Sequence, residues 1–116
     1  MDIRVIGCHG GETPRHRTSA LILDDRVAID AGSLTSGMEL PAQCALEAVL
    51  VSHAHLDHIR DLATIADNRA QQGCKALVIA GTAPTIGILR KHFFNGLLWP
   101  DFSLIPSAKK PAIKYF

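Results

Sequence analysis

Within six residues the chain places three imidazoles and a carboxylate: His53, Ala54, His55, Leu56, Asp57, His58. Imidazole nitrogen and carboxylate oxygen are ligand types suited to Zn²⁺ and similar divalent ions, and few structural needs call for so many in one short segment. On an extended backbone alternate residues project the same way, so His53 and His55 share a side, while a turn after Leu56 sends Asp57 and His58 to a second point. One loop can then serve two metals. A pair of cations about 3.5 to 4 Å apart lowers the pKa of a bridging water toward about 7, and hydrolysis is the obvious use. A polar surface loop or a mononuclear structural site is the blander reading of the same residues. The density of ligands, directly after a strand, favours catalysis.

Other polar residues carry less. His9, beside Gly10 and Gly11, can reach a substrate from a loop where backbone approaches closely, although a loop histidine is more often simply solvated. His16, between Arg15 and Arg17, could meet a phosphate, although an exposed basic loop is the more ordinary reading. His92 falls in an amphipathic stretch and reads as a solvated helix position, and Asp101 follows a proline in a loop. Cys8, Cys44 and Cys74 are odd in number, widely spaced and without a CxxC pair, so buried free thiols are expected rather than a disulfide framework, with Cys8 close to His9.

The elements that must position the cluster follow from patterning. Ile3 to Gly7 alternates as a strand; Ser19 to Leu23 and Arg26 to Asp30 flank Asp24-Asp25 as a hairpin. Ala42 to Glu47, after Pro41, suits a short helical turn. Ala48 to Ser52 is a continuous apolar run expected to form a strand buried on both faces, with the histidines at its C-terminal end. Ile59, Leu62, Ala63, Ala66 and Ala70 recur at helical spacing up to a C-terminal cap at Gly73. Ala76 to Ala80 reads as a strand, Thr85 to Phe93 as a helix opened by Pro84, and Ala112 to Phe116 as a final strand. Strands first and α/β units after predict an α/β (α+β) mixed β-sheet with helices on its outer face.

The 116 residues carry a formal net charge of +1 and are 47% hydrophobic, which fits one small globular unit, residues 1–116. The only basic cluster is Lys109, Lys110 and Lys114, so nucleic acid is an unprompted partner. Neither a signal-peptide pattern nor an apolar run of spanning length is present, so no membrane role and a cytoplasmic location are expected.

His53-Ala54-His55-Leu56-Asp57-His58 resembles the HxHxDH signature of the metallo-β-lactamase superfamily, a four-layer αββα sandwich. The resemblance implies that His53 and His55 bind one divalent metal ion and Asp57 and His58 a second, zinc in the first instance with manganese or iron also suitable, and that Asp57 orients the attacking hydroxide as the catalytic residue. Val27 to Gly32 is similar to the family's strand ending in an aspartate turn beneath the metals. That makes Asp30 a candidate to support the ligands, against an aspartate that only caps its own turn. Ile59-Arg60-Asp61 after the motif, without the usual glycine pair, and Trp99-Pro100-Asp101-Phe102 look closest to the class II cyclic-nucleotide phosphodiesterases.

The resemblance thus implies a metal-dependent hydrolase acting on a small-molecule phosphodiester, a 3′,5′-cyclic nucleotide. The same fold also serves thioesterases, lactonases and RNA-processing nucleases, and a non-catalytic metal-binding fragment is the reading from another class. A third histidine for the first metal, a bridging aspartate and a last histidine are not recognisable after His58. The chain is therefore read as the N-terminal half of the domain, and a homo-oligomer or a complementing chain is left open.

Overall fold

A computed structural model describes residues 1–116. Its sheet has six strands: β1 (Ile3–Gly7), β2 (Ala20–Leu23), β3 (Val27–Ile29), β4 (Ala48–Leu50), β5 (Leu77–Ala80) and β6 (Ile113–Tyr115). They lie side by side in chain order, antiparallel from β1 to β3 and parallel from β3 to β6. The β2–β3 hairpin turns through Asp24 and Asp25, both at positive φ (51° and 56°). Two left-handed residues make the tight turn whose twist matches paired strands, and aspartate tolerates that region better than most side chains.

The parallel strands need crossovers, and helices supply them. α1 (Leu40–Ala45) precedes β4; α2 (Leu56–Ile59) and α3 (Leu62–Gln72) join β4 to β5; α4 (Ala83–Ile88) continues into a π-helical turn, Leu89–Phe93, before the long return to β6. Gly73 closes α3 in the left-handed conformation (φ 67°), its N–H donating to the Ala70 carbonyl, and Pro84 stands in the first turn of α4, where a missing N–H costs nothing. The apolar stretch read as one helix from Ile59 is two, because Arg60 and Asp61 separate α2 from α3.

Ile22, Ala28, Val49 and Ile79 share one sheet face and are buried beneath Leu62, Ile65 and Ala66 of α3 and Leu89 and Phe93 of the π turn. The other face carries Ile3, Val5 and Leu50, which are exposed. The expectation that β4 is buried on both faces is therefore corrected: Val49 is enclosed but Leu50 is 42% exposed, since helices cover one side only. The thiol expectation is corrected too. Cys44 and Cys74 form a disulfide, brought within 5.6 Å Cα to Cα because α1 packs against the end of α3, and none of the three cysteines is buried, Cys8 being free and exposed. No helix is long and apolar enough to cross a membrane.

Candidate metal centre

Residues 51–55 leave β4 without regular structure, bending at Ser52, and α2 starts at Leu56 with His55 at its N-cap in extended geometry (φ −70°, ψ 145°). That change of backbone, at the place where a turn was expected, gathers the side chains. The His53 and His55 rings meet edge to face at 4.7 Å between centroids. The His58 ring lies 4.1 Å from that of His53, so it joins the same cluster instead of diverging to a distant point. Asp57 Oδ2 is 3.4 Å from His58 Nε2. Imidazole nitrogens and a carboxylate are donors of the right kind for a divalent cation, though no three His, Cys, Asp or Glu side chains are gathered closely enough to hold one by themselves. The four residues fit a metal by chemistry and would provide part of its donor set.

Asp30 supports this loop from the end of β3. It is buried, at 4% exposure, and its backbone is left-handed (φ 61°), a conformation that persists only where surroundings fix it. Those surroundings are explicit: the Asp30 N–H donates to the Leu50 carbonyl (2.9 Å), Ser52 N–H and Oγ–H donate to its carboxylate (both 2.7 Å), and His58 Nδ1 lies 2.8 Å from Oδ2. A carboxylate at Nδ1 favours the tautomer with its proton there, which leaves Nε2 as the free lone pair. Further backbone bonds lock the two loops together: Ala31 N–H donates to the His58 carbonyl and Asp61 N–H to that of Ala31, both at 2.8 Å. Gly32 is needed beneath them, because a Cβ there would stand 2.0 Å from the Asp57 carbonyl oxygen and 2.6 Å from Thr18 Oγ1.

Beside Asp57 a cavity of about 430 Å³ is lined by Gly10, Gly11, Glu12, Thr18, Leu56 and Arg60. The glycines face open space, and the ion pair of Glu12 with Arg60 ties their loop to the residues just after the histidines. The hydrogen bond and the positive charge of Arg60 hold the Glu12 carboxyl below the usual carboxylate range. Thr18 Oγ1, buried and without a hydrogen-bond partner, also borders this cavity. The sequence reading missed Ser52, Thr18, Glu12 and Arg60. Ser52, directly before His53, and Arg60, in the stretch that follows the motif, carried a signal that could have found them.

The remaining candidates lie elsewhere. His9 is exposed and meets His16 edge to face at 4.2 Å, on a neighbouring cavity shared with Cys8, Arg15 and Arg17. Thr13 Oγ1 and His16 Nδ1 are bonded at 2.8 Å. His92 is exposed in the π turn. Asp101 accepts from the N–H and hydroxyl of Ser103, closing its own turn, and Trp99 Nε1–H donates to the Ala63 carbonyl of α3.

Residues 41–114 match the family described as cAMP phosphodiesterases class-II. Among curated relatives, a probable 3′,5′-cyclic-nucleotide phosphodiesterase of Yersinia pestis is 26% identical over 130 aligned positions, covering 89% of this chain and 36% of the relative. The 3′,5′-cyclic-nucleotide phosphodiesterase 1 of Saccharomyces cerevisiae is 40% identical over 60 residues, 51% of this chain and 16% of the relative. Of solved structures, unliganded yeast PDE1 superposes with a TM-score of 0.73 at 20% identity, covering 98% of this chain and 50% of that one. The metallo-β-lactamase fold protein YhfI of Bacillus subtilis gives 0.65 at 27% identity, with 98% and 43% covered. The fold is that of the metallo-β-lactamase proteins, and the chain spans no more than half the length of these relatives.

Proposed function

The chain belongs to the cAMP phosphodiesterases class-II, and on that premise we propose that it is the metal-binding part of a hydrolase that opens 3′,5′-cyclic nucleotides. The single observation that carries the proposal is the histidine cluster at the C-terminal end of parallel strand β4, braced by Asp30 through His58 Nδ1. His53 and His55 are proposed to hold one divalent cation and Asp57 and His58 a second, with zinc, manganese or iron all compatible with nitrogen and oxygen donors. Bound cations supply Lewis acidity, which makes hydroxide available near neutral pH and neutralises charge on the phosphoryl oxygens.

The chain's own residues do the rest. Asp30 fixes the His58 ring, and Ser52 fixes Asp30. Asp57 borders the cavity where the phosphodiester is placed, within the volume range of small-molecule sites, and holds the attacking water in line with phosphorus. The open glycines 10 and 11 let the ligand approach backbone N–H groups, and Arg60 puts a cation beside it. His9 is retained as a residue that reaches substrate only if its loop moves. A cytoplasmic location belongs to the proposal, with the consequence that in a reducing compartment Cys44 and Cys74 stand open.

A second reading has its own observation: donors for a complete cation site are not gathered in this chain, and its sheet leaves Ile3, Val5 and Leu50 exposed on one face. It makes the chain a metal-binding fragment that turns over only with a second copy or a complementing chain. Metal content and hydrolysis of cyclic AMP, measured beside His55→Ala, test both. Bound metal and turnover that His55→Ala abolishes support the enzyme. Metal binding without turnover, rescued by the portion of a relative that this chain does not match, supports the fragment. Cleavage of thioesters or lactones with no action on cyclic nucleotides under either condition overturns the substrate assignment.

A further inference from the structure

Four of the chain's five lysines, Lys75, Lys109, Lys110 and Lys114, line one open cavity of about 540 Å³. Gly73, Cys74, Ala76, Val78 and Pro111 complete its lining, which holds no carboxylate and no aromatic ring. The ion pairs of the chain are all made by arginine and histidine, so these four ammonium groups have no internal counter-charge. A local concentration of four positive charges on a chain of net charge +1 is a field that recruits anions.

The lysines are held in place by backbone. Lys75 leads into β5, and Lys114 is paired across the sheet with Val78. Lys109 and Lys110 sit on a loop pinned by a bridge between Pro106 and Pro111, with the Lys110 N–H donating to Ser107 Oγ (3.1 Å) and the Ala112 N–H to the Ile105 carbonyl (2.8 Å). A braced loop spends less conformational entropy on binding than a free one. The cavity opens at the N-terminal ends of β5 and β6, whereas the histidines follow the C-terminal end of β4, which runs parallel to both. It is therefore at the opposite end of the strands from the proposed metals.

We infer that this cavity is a second ligand site that binds a compact oligophosphate. Several closely spaced negative charges match four lysines around one cavity, each carrying a point charge suited to phosphate oxygens. Nucleic acid is disfavoured because single strands bind through base stacking as well as charge, and the cavity offers no ring to stack on.

Calorimetric titration of the full chain with inorganic tripolyphosphate tests the inference, beside Lys110→Glu, Lys91→Glu and His55→Ala. Lys91→Glu matches Lys110→Glu in net charge but lies outside the cavity. The expected result is one saturable site that weakens as salt rises. Lys110→Glu should weaken it about tenfold, with Lys91→Glu within about twofold and His55→Ala unchanged. No saturable binding, equal weakening by both lysine variants, or loss in His55→Ala would overturn it, as would tighter binding of a single-stranded oligonucleotide of matched charge.

Discussion

Asp30→Asn isolates what the buried carboxylate does for the metal loop. Asparagine has nearly the same shape and tolerates left-handed backbone, so the φ of 61° is retained at little cost. One amide oxygen can still accept the Ser52 N–H. The NH₂ group, however, then faces His58 Nδ1 across 2.8 Å and donates to it, which moves the ring proton to Nε2 and removes the lone pair that a metal needs. Exchanging a charged hydrogen bond, worth about 1.5–3 kcal/mol, for a neutral one of about 0.5–1.5 kcal/mol lowers stability by about 1–2 kcal/mol. Losing the ring's orientation costs about 10- to 100-fold in metal affinity. Asp30→Ala deletes all three side-chain bonds and leaves an ordinary residue at positive φ, so about 3–5 kcal/mol is expected. Competition against a zinc indicator and thermal unfolding measure the two quantities. If Asp30→Asn melts like the parent and binds zinc within about twofold, Asp30 merely closes its turn and the reasoning fails.

Gly32→Ala should drive a methyl into the Asp57 carbonyl and Thr18, with a stability loss of about 1–3 kcal/mol and weakened metal binding; an unaltered melting temperature would show that the two loops separate freely. Tyr115 has its pKa pushed up to about 12 by burial and the nearby Asp101, with Arg90 opposing. Because the folded pKa exceeds the ordinary value near 10, the folded state keeps its proton longer. Stability should hold below pH 10 and fall as pH rises from 10 to 12, and Tyr115→Phe should flatten that fall in pH-dependent melting curves. Thiol titration should find one reactive cysteine, Cys8, in the native oxidised chain and three after reduction. Opening the 30-residue Cys44–Cys74 link should lower stability by about 3–4 kcal/mol in denaturant melts, and Cys74→Ser should reproduce the loss.

Much of the local structure was legible because neighbouring residues set it. Asp24-Asp25 between two apolar runs had few options besides a tight turn, Gly73 and Pro84 marked helix ends through their own backbone chemistry, and the crowding of His53, His55, Asp57 and His58 offered donors of the kind a metal takes before any geometry was known. The burial of β4 was misread because an apolar run does not say how many sides of a sheet are covered; Leu50 is exposed since helices lie on one face. The Cys44–Cys74 bond was missed because spacing alone does not reveal that α1 meets the end of α3.

What only tertiary structure decided is the support of the site. His58 and Asp30 are 28 residues apart, and Glu12 and Arg60 are 48 apart. Neither pair has a pattern that links it along the chain. The first pair meets because β3 and β4 run parallel and adjacent, so that the turn after one strand and the loop after the next emerge at the same end of the sheet; the second meets because β1 and β3 are both antiparallel to β2, which brings the loop after β1 to that end too. The sequence determined which atoms could hold a metal; the pairing of those two strands determined which carboxylate would orient them.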